Sequence, residues 1–198
     1  SLGSRGLGDV YKRQILVGEM RDQETVEIGL RAALTGHLVL STLHTNDAVD
    51  SALRMMDMGA PGYLVASAVR AVVAQRLVRK VCPDCKTKDE VDDSRRQWLA
   101  QRFPNQGQAD FVKGRGCQNC NLTGYQGRIG VFEMLELEQD MMDKLRANDA
   151  VGFSMVARQS KSYKPLLASA MELALQGVVS LDEVMNLGEG DASGSVEA

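Results

Sequence analysis

Residues 15–46, ILVGEMRDQETVEIGLRAALTGHLVLSTLHTN, decide how the fold is read. Ile15, Leu16 and Val17 form a wholly apolar run that Gly18 breaks, and Glu19 follows at once. A short run of this kind is what a strand buried in a parallel sheet demands. Asp22 stands where a helix N-cap belongs, with Glu24 and Glu27 in the first turn to match the positive end of the dipole. Val26, Leu30, Ala33 and Leu34 recur at helical spacing, and Gly36 supplies the stop. Residues 37–43 then read as a second strand with His44 at its carboxyl end. Ligands of open α/β sheets bind outside the carboxyl ends of the strands. Glu19 and His44 are therefore expected as neighbours on that rim, and His37 about 20 Å away at ~3.3 Å per residue.

These residues resemble a known family. GEMRD (residues 18–22) looks like the Walker B motif, and TGHLVLSTLHTND (residues 35–47) like the His box, of the secretion ATPases. These are the hexameric motors of type II secretion and type IV pilus assembly, MSHA-type pili included. The resemblance runs from Ile15 to about Leu187 and is to the C-terminal half of such a motor. It implies ATP and Mg2+ as cofactors and a catalytic set of Glu19, Arg21 and His44. Glu19 would orient the attacking water or the magnesium shell, and His44 would sense the γ-phosphate. Nucleotide contacts would come from Gly18, Glu19, Thr42, His44, Gln75 and Arg76. Without its neighbours, Glu19 would read as a strand-ending surface acid.

The totals bound the reading. At 198 residues the chain has room for one large domain or two small ones. Its 44% hydrophobic and 25% charged residues are those of a globular protein, and a net charge of −3 gives no whole-chain pull toward nucleic acid or anionic lipid. No apolar run approaches the roughly 20 residues that a spanning helix needs.

Residues 1–14, SLGSRGLGDVYKRQ, are Gly-rich and basic and end abruptly against the first strand. They look like an in-frame transposase sequencing adapter, a non-native leader; a flexible native segment is the alternative. No GxxxxGK[ST] occurs in the sequence. That loop cradles the phosphates of P-loop proteins, and the resemblance places it, with an acidic box, before Ile15. The expected fold is α/β: the trailing half of a RecA-like P-loop core over 15–80, an insertion over 81–130, and a strand and helical subdomain over 131–187. Alone, these residues are expected to bind nucleotide poorly and not to hydrolyse it.

Beyond the His box, Asp47 can cap a helix to Met58, with Met55, Met56 and Met58 as core filler. A second helix is predicted over 62–80, carrying Leu64, Ala68, Val72 and Leu77 inward. Its end, AQRLVRKVCPDC, resembles the family's junction into its metal-bearing insertion. Gln75, Arg76 and Arg79 would there lie near the nucleotide or a subunit boundary, although Arg79 and Lys80 also suit a helix C-terminus. Cys82-Pro-Asp-Cys85 and Cys117-Gln-Asn-Cys120 are paired CxxC knuckles, enough thiolates for a closed tetrahedral Zn2+ site in a reducing cytosol. One helix, residues 94–103, is expected between them, anchored by Trp98, Leu99 and Phe103.

A zinc ribbon can also serve nucleic acid. From Cys82 to Arg128 there are eight Lys/Arg and six Asp/Glu, and a tetrathiolate site cancels that excess of two. The aromatics are not interleaved with basic residues as stacking platforms require. No nucleic-acid partner is expected.

Gly124, Gly127 and Gly130 suit turns before a strand at Ile129, Val131 and Phe132, and Arg128 could reach a neighbouring subunit or pair with Glu133. Met141, Met142 and Leu145 form one helical stripe, and Leu166, Leu167, Ala170, Met171 and Ala174 another, ended by Gly177. Residues 180–183, SLDE, read as a capping box for a last helix, and residues 188–198 as a disordered tail.

The resemblance implies a homo-hexamer in the cytoplasm, at the inner-membrane face of a bacterial envelope machine. It would move an inner-membrane platform protein and meet the membrane only through partners. The insertion would be a rigid docking or force-transmitting arm, and His37 a subunit contact or a core hydrogen bond. A retraction motor of the same superfamily is a second possibility, although that class typically lacks the four cysteines. A zinc-ribbon binding module without motor function is the alternative from another class.

Overall fold

The computed structural model describes residues 13–192; most of the 1–14 leader and the end of the 188–198 tail lie outside them. Strand β1 (Gln14–Val17) pairs in parallel with β2 (Leu38–Ser41), Leu16 opposite Leu40 and Val17 opposite Ser41, through the crossover helix α1 (Gln23–Leu34). Asp22 caps α1 as expected, accepting from the Thr25 N–H at 2.8 Å. Gly36 ends the crossover at φ +93°. On one face the pair meets α1 so closely that a methyl group on Gly29 would collide with Met20 and touch Val39. On the other face Leu16, Leu38 and Leu40 stand exposed, so the apolar runs are not buried on both sides as expected. Three apolar residues in a row cannot tell one covered face from two.

Asp47 caps α2 (Ala48–Asp57), accepting from the Asp50 N–H at 2.6 Å. Gly59 turns the chain into α3 (Gly62–Ala68). The helix predicted over 62–80 stops there, and strand β3 (Ala71–Val81) takes over. Val72, Val73, Val78 and Val81 are β-branched and favour the pleated backbone. The pairing that decides the matter is with β6 (Tyr125–Glu136), far along the chain and invisible to a local pattern.

The described residues form two compact units, one running to Ala74 and resuming over Met134–Lys164, the other taking Gln75–Glu133 and the chain from Pro165. In the first, α5 (Gln139–Arg146) and α6 (Ala150–Gln159) join α1, α2 and α3 around one core, in which Val26, Val49, Leu64, Leu145 and Phe153 are buried. Met55 lies in that core, with Met56 and Met58 packed against it.

In the second unit β4 (Lys86–Asp89) and β5 (Phe111–Gly114) form an antiparallel pair that the sequence pattern did not suggest. The expected helix between them is α4 (Asp93–Arg102), with Leu99 buried and Trp98 against Phe103 at 6.0 Å between ring centroids. Helix α7 (Leu166–Leu175) opens on the Glu133 carboxylate, which accepts from the Leu166 N–H at 3.0 Å. The last helix, α8 (Leu181–Ala192), continues past Gly188. Its capping box is half formed: Ser180 Oγ accepts from the Glu183 N–H at 3.4 Å, while the Glu183 side chain turns to Arg79.

Candidate functional site

The parallel register brings the ends of β1 and β2 together. Thr42 Oγ1 donates to the Gly18 carbonyl at 2.8 Å, and the Met20 N–H donates to the Thr42 carbonyl at 3.0 Å. These two bonds prolong the strand pairing by one step and set Glu19 and His44 side by side. His44 Nε2 lies 2.9 Å from one Glu19 carboxylate oxygen, and Arg21 Nε donates to the other at 2.5 Å. The Glu19 side chain is 19% exposed and that of His44 86%. The rim thus presents a half-sheltered carboxylate held from both sides, beside an imidazole open to solvent. Gly18, Glu19, Arg21, Thr42 and His44 are brought together; Gln75 and Arg76 lie in the second unit, on a strand rather than the predicted helix.

The four cysteine sulfurs lie within 4.8 Å of one another, a cluster that could hold a metal ion. Cys82 faces Cys117 at 3.9 Å, Cys85 faces Cys120 at 3.9 Å, and Cys117 and Cys120 are 3.7 Å apart. Each knuckle is a single 3-10 turn, Pro83–Cys85 and Gln118–Cys120. Asn119 Nδ2 donates to Asp84 Oδ2 at 3.0 Å and ties one to the other. Burial works against a Cys120 thiolate, but N–H donors from Cys117 and Gly124, at 3.2 and 3.3 Å, outweigh it and hold the thiol at about 6. Burial pushes the Cys85 thiol up to about 11. The knuckle's backbone needs glycine at Gly124, where φ is +78° and a Cβ would meet the Gly114 carbonyl oxygen at 2.6 Å.

The family model described as "Type II/IV secretion system protein" matches residues 13–186. The chain belongs to this family. A type IV pilus assembly ATPase, TfpB of Acinetobacter baylyi, is 39% identical over 173 residues, which are 87% of this chain and 30% of that relative. The type II secretion system ATPase E of Vibrio cholerae is 37% identical over 187 residues, 93% of this chain and 37% of its own length. The chain thus spans about a third of the length of each of these two relatives. Among solved structures, the Legionella pneumophila ATPase DotB aligns with a TM-score of 0.60 at 19% identity, covering 92% of this chain and 41% of that one. The pilus retraction motor PilT with bound ADP aligns at 0.56 and 25% identity, over 88% and 39%.

Other expectations for this type II/IV secretion family chain resolve locally. Arg79 is engaged inside the second unit: its guanidinium grips Glu183 and lies 4.1 Å over the Tyr125 ring, rather than ending a helix. His37 is half-buried, its Nδ1 3.2 Å from the Ala32 carbonyl oxygen at the end of α1 and 3.1 Å from Thr35 Oγ1, a local contact outside the core. Sequence reasoning missed Arg158, whose Nη2 donates to Asp47 Oδ2 at 2.8 Å. Only the capping role of Asp47 is visible in sequence; its second partner comes from α6. No helix among the described residues is long and apolar enough to cross a membrane.

Proposed function

We propose that this chain is the trailing part of a hexameric cytoplasmic ATPase that powers type IV pilus assembly or type II protein secretion at the inner-membrane face. The observation that carries this reading is the Glu19–His44 pair at 2.9 Å on the carboxyl rim of two parallel strands. An ionised carboxylate has about four lone-pair sites, so Glu19 can accept from a water while Arg21 and His44 hold its oxygens in place. His44, reaching into solvent, is free to turn its imidazole toward a phosphate oxygen. Bound Mg2+–ATP would supply the phosphoryl group to be transferred, and catalysis of that kind is mostly positioning and charge stabilisation.

Gly18 and Thr42 fix the rim and Arg21 the carboxylate, while Gln75 and Arg76 are proposed as further nucleotide contacts. The phosphate-cradling loop is not among the 198 residues, and the rim of Gly18, Glu19, Arg21, Thr42 and His44 would supply one wall of a nucleotide site. The exposed Leu16, Leu38 and Leu40 suit a strand pair that belongs to a larger layered core. An inner-membrane platform protein would be the partner moved.

The cysteine cluster is proposed as a structural Zn2+ site. Thiolates about 2.3 Å from a tetrahedral ion sit about 3.8 Å from one another, and the closest sulfur pairs here are 3.7 and 3.9 Å apart. Four such ligands leave no open position, so the ion would stiffen the insertion into a docking or force-transmitting arm.

In the complete motor, Glu19→Gln should abolish ATP turnover while leaving ATP bound. Unchanged turnover in that variant would remove the catalytic assignment.

A further inference from the structure

Four residues, His44 to Asp47, connect the rim to α2, and the far end of this connection is moored from several sides. Asp47 Oδ1 accepts from the Asp50 N–H at 2.6 Å, which is the helix cap. Its other oxygen, Oδ2, accepts from Arg158 Nη2 at 2.8 Å. Ser51, buried at 4% exposure, donates from Oγ to the Asp47 carbonyl at 2.9 Å and lies 2.5 Å from Thr45 Oγ1. At the near end, Thr42 is fixed to Gly18 and Met20. His44 hangs between these moorings with a side chain that is 86% exposed. Packing therefore does not set its position; the backbone at either side does.

Asp47 needs only one oxygen to cap α2, and the sequence alone accounts for that bond. Arg158 takes the second oxygen, so the Asp47 side chain is held from α6 as well as from the first turn of α2. Arg158 stands on α6, whose Phe153 and Ala157 are buried in the core that also holds Val49 and Ala52 of α2. The guanidinium is thus carried on a rigid platform and reaches Asp47 through a single donor, Nη2, a charged bond that a lysine ammonium can replace and a truncated side chain cannot. As a half-exposed ion pair it adds little stability. Its consequence is positional.

We propose that Arg158 is a positioning residue for the Glu19–His44 pair: through Asp47 it holds the His44 connection so that the imidazole meets the carboxylate. This makes the helical segment after β6 part of the rim's geometry. It rests on the reading of Glu19 and His44 as the working pair, and the test separates the two.

The chain has two histidines, so its imidazole spectrum is a direct readout. Long-range 1H–15N correlation spectra of the full chain would be compared for the native protein, Glu19→Gln, Arg158→Ala and Arg158→Lys. Glu19→Gln sets the displacement expected when His44 loses its carboxylate. Arg158→Ala should move the His44 resonances in the same direction by at least half as much, and Arg158→Lys should restore most of the native position. His37, held by Ala32 and Thr35 at the other end of β2, should keep its resonances throughout and so reports that the fold is intact.

His44 resonances unmoved by Arg158→Ala, with Glu19→Gln shifting them, would overturn the positioning role and leave the pair. No displacement by Glu19→Gln would remove the pair and the proposal with it. If His37 moves with His44 in Arg158→Ala, the arginine supports the unit as a whole and the specific role fails. Lack of rescue in Arg158→Lys also counts against it if Arg158→Ala has lost native amide dispersion.

Discussion

Arg79 and Glu183 are joined three times over: the guanidinium donates from Nε and Nη2 to one carboxylate oxygen at 2.9 and 2.6 Å, and the Arg79 backbone N–H donates to the other at 2.8 Å. Tyr125 lies beneath the guanidinium, and its hydroxyl is 3.0 Å from Ser180 Oγ at the start of α8. Strand β3, the start of β6 and the last helix are therefore fastened at one point. The Glu183 side chain is only 9% exposed, so removing its partner leaves a largely desolvated carboxylate. Arg79→Ala should lower stability by roughly 2 kcal/mol, between the scales for an exposed and a buried pair, because the carboxylate is sheltered and held three times while the arginine is half exposed. Arg79→Lys should recover only part, since an ammonium cannot fork to one carboxylate and stack on a ring. Urea unfolding of the three proteins checks both, and equal stability of all three would show that the fastening carries no weight.

A second charged knot sits on the hairpin. Asp89 has a fully buried side chain, with Arg95 at 2.8 Å and Lys113 at 3.0 Å. Burial works against its ionised form, but Arg95 and then Lys113 more than offset that and hold the Asp89 carboxyl below the usual aspartate range. A carboxyl lowered by folding contributes stability that is complete above the unfolded pKa of about 3.9 and is lost as pH falls through the lowered value. Acidification below that point should therefore loosen the second unit. In Asp89→Asn this portion of the acid dependence should vanish, at a constant loss of roughly 3 kcal/mol near neutral pH. Urea midpoints across a pH series give the slope, and an unchanged slope in Asp89→Asn would assign the acid sensitivity to other groups.

Gly62 allows α3 and α5 to touch. A Cβ there would lie 2.0 Å from the Leu145 carbonyl oxygen and 2.7 Å from Asn148 Oδ1, and backbone cannot give way as a side-chain end can. Overpacking of this kind costs about 1–3 kcal/mol. Gly62→Ala should lower the thermal midpoint while leaving the metal content of the cysteine cluster unchanged. A variant as stable as the native protein would mean that the helices can part at no cost.

Metal should be stoichiometric with chain and lost on strong chelation, after which all four cysteines become reactive toward a thiol reagent. Cobalt put in its place should show the thiolate-to-metal charge-transfer bands of a tetrahedral sulfur site. Cys117→Ser should weaken binding by a large factor, because binding free energy at a thiolate site is folding free energy for the segment that makes it. Four thiols that stay reactive in the presence of zinc would dispose of the metal assignment.

Much of the first unit could be read in the chain itself. Asp22 and Asp47 cap the helices assigned to them, and the parallel rim with Glu19 beside His44 follows from strand, crossover and strand in order. Each CxxC knuckle is likewise fixed by its own short spacing, and the number of thiols announced a metal cluster, although the meeting of the two knuckles joins positions 35 residues apart. The reading failed where partners are remote. Residues 71–80 satisfy a helical spacing well enough, yet they are extended because their backbone pairs with β6. The hairpin of β4 and β5 escaped notice because Lys86–Asp89 is polar and carries no strand pattern of its own.

The sequence alone determined which residues cap, turn and alternate, because those choices are made within a few positions of the backbone. Only the tertiary structure decided which charges meet: Arg79 with Glu183, Arg95 with Asp89 and Asp182, and Arg158 with Asp47. An arginine can satisfy any carboxylate that comes within reach, so its partner is chosen by how helices and strands pack and by nothing in its immediate neighbours.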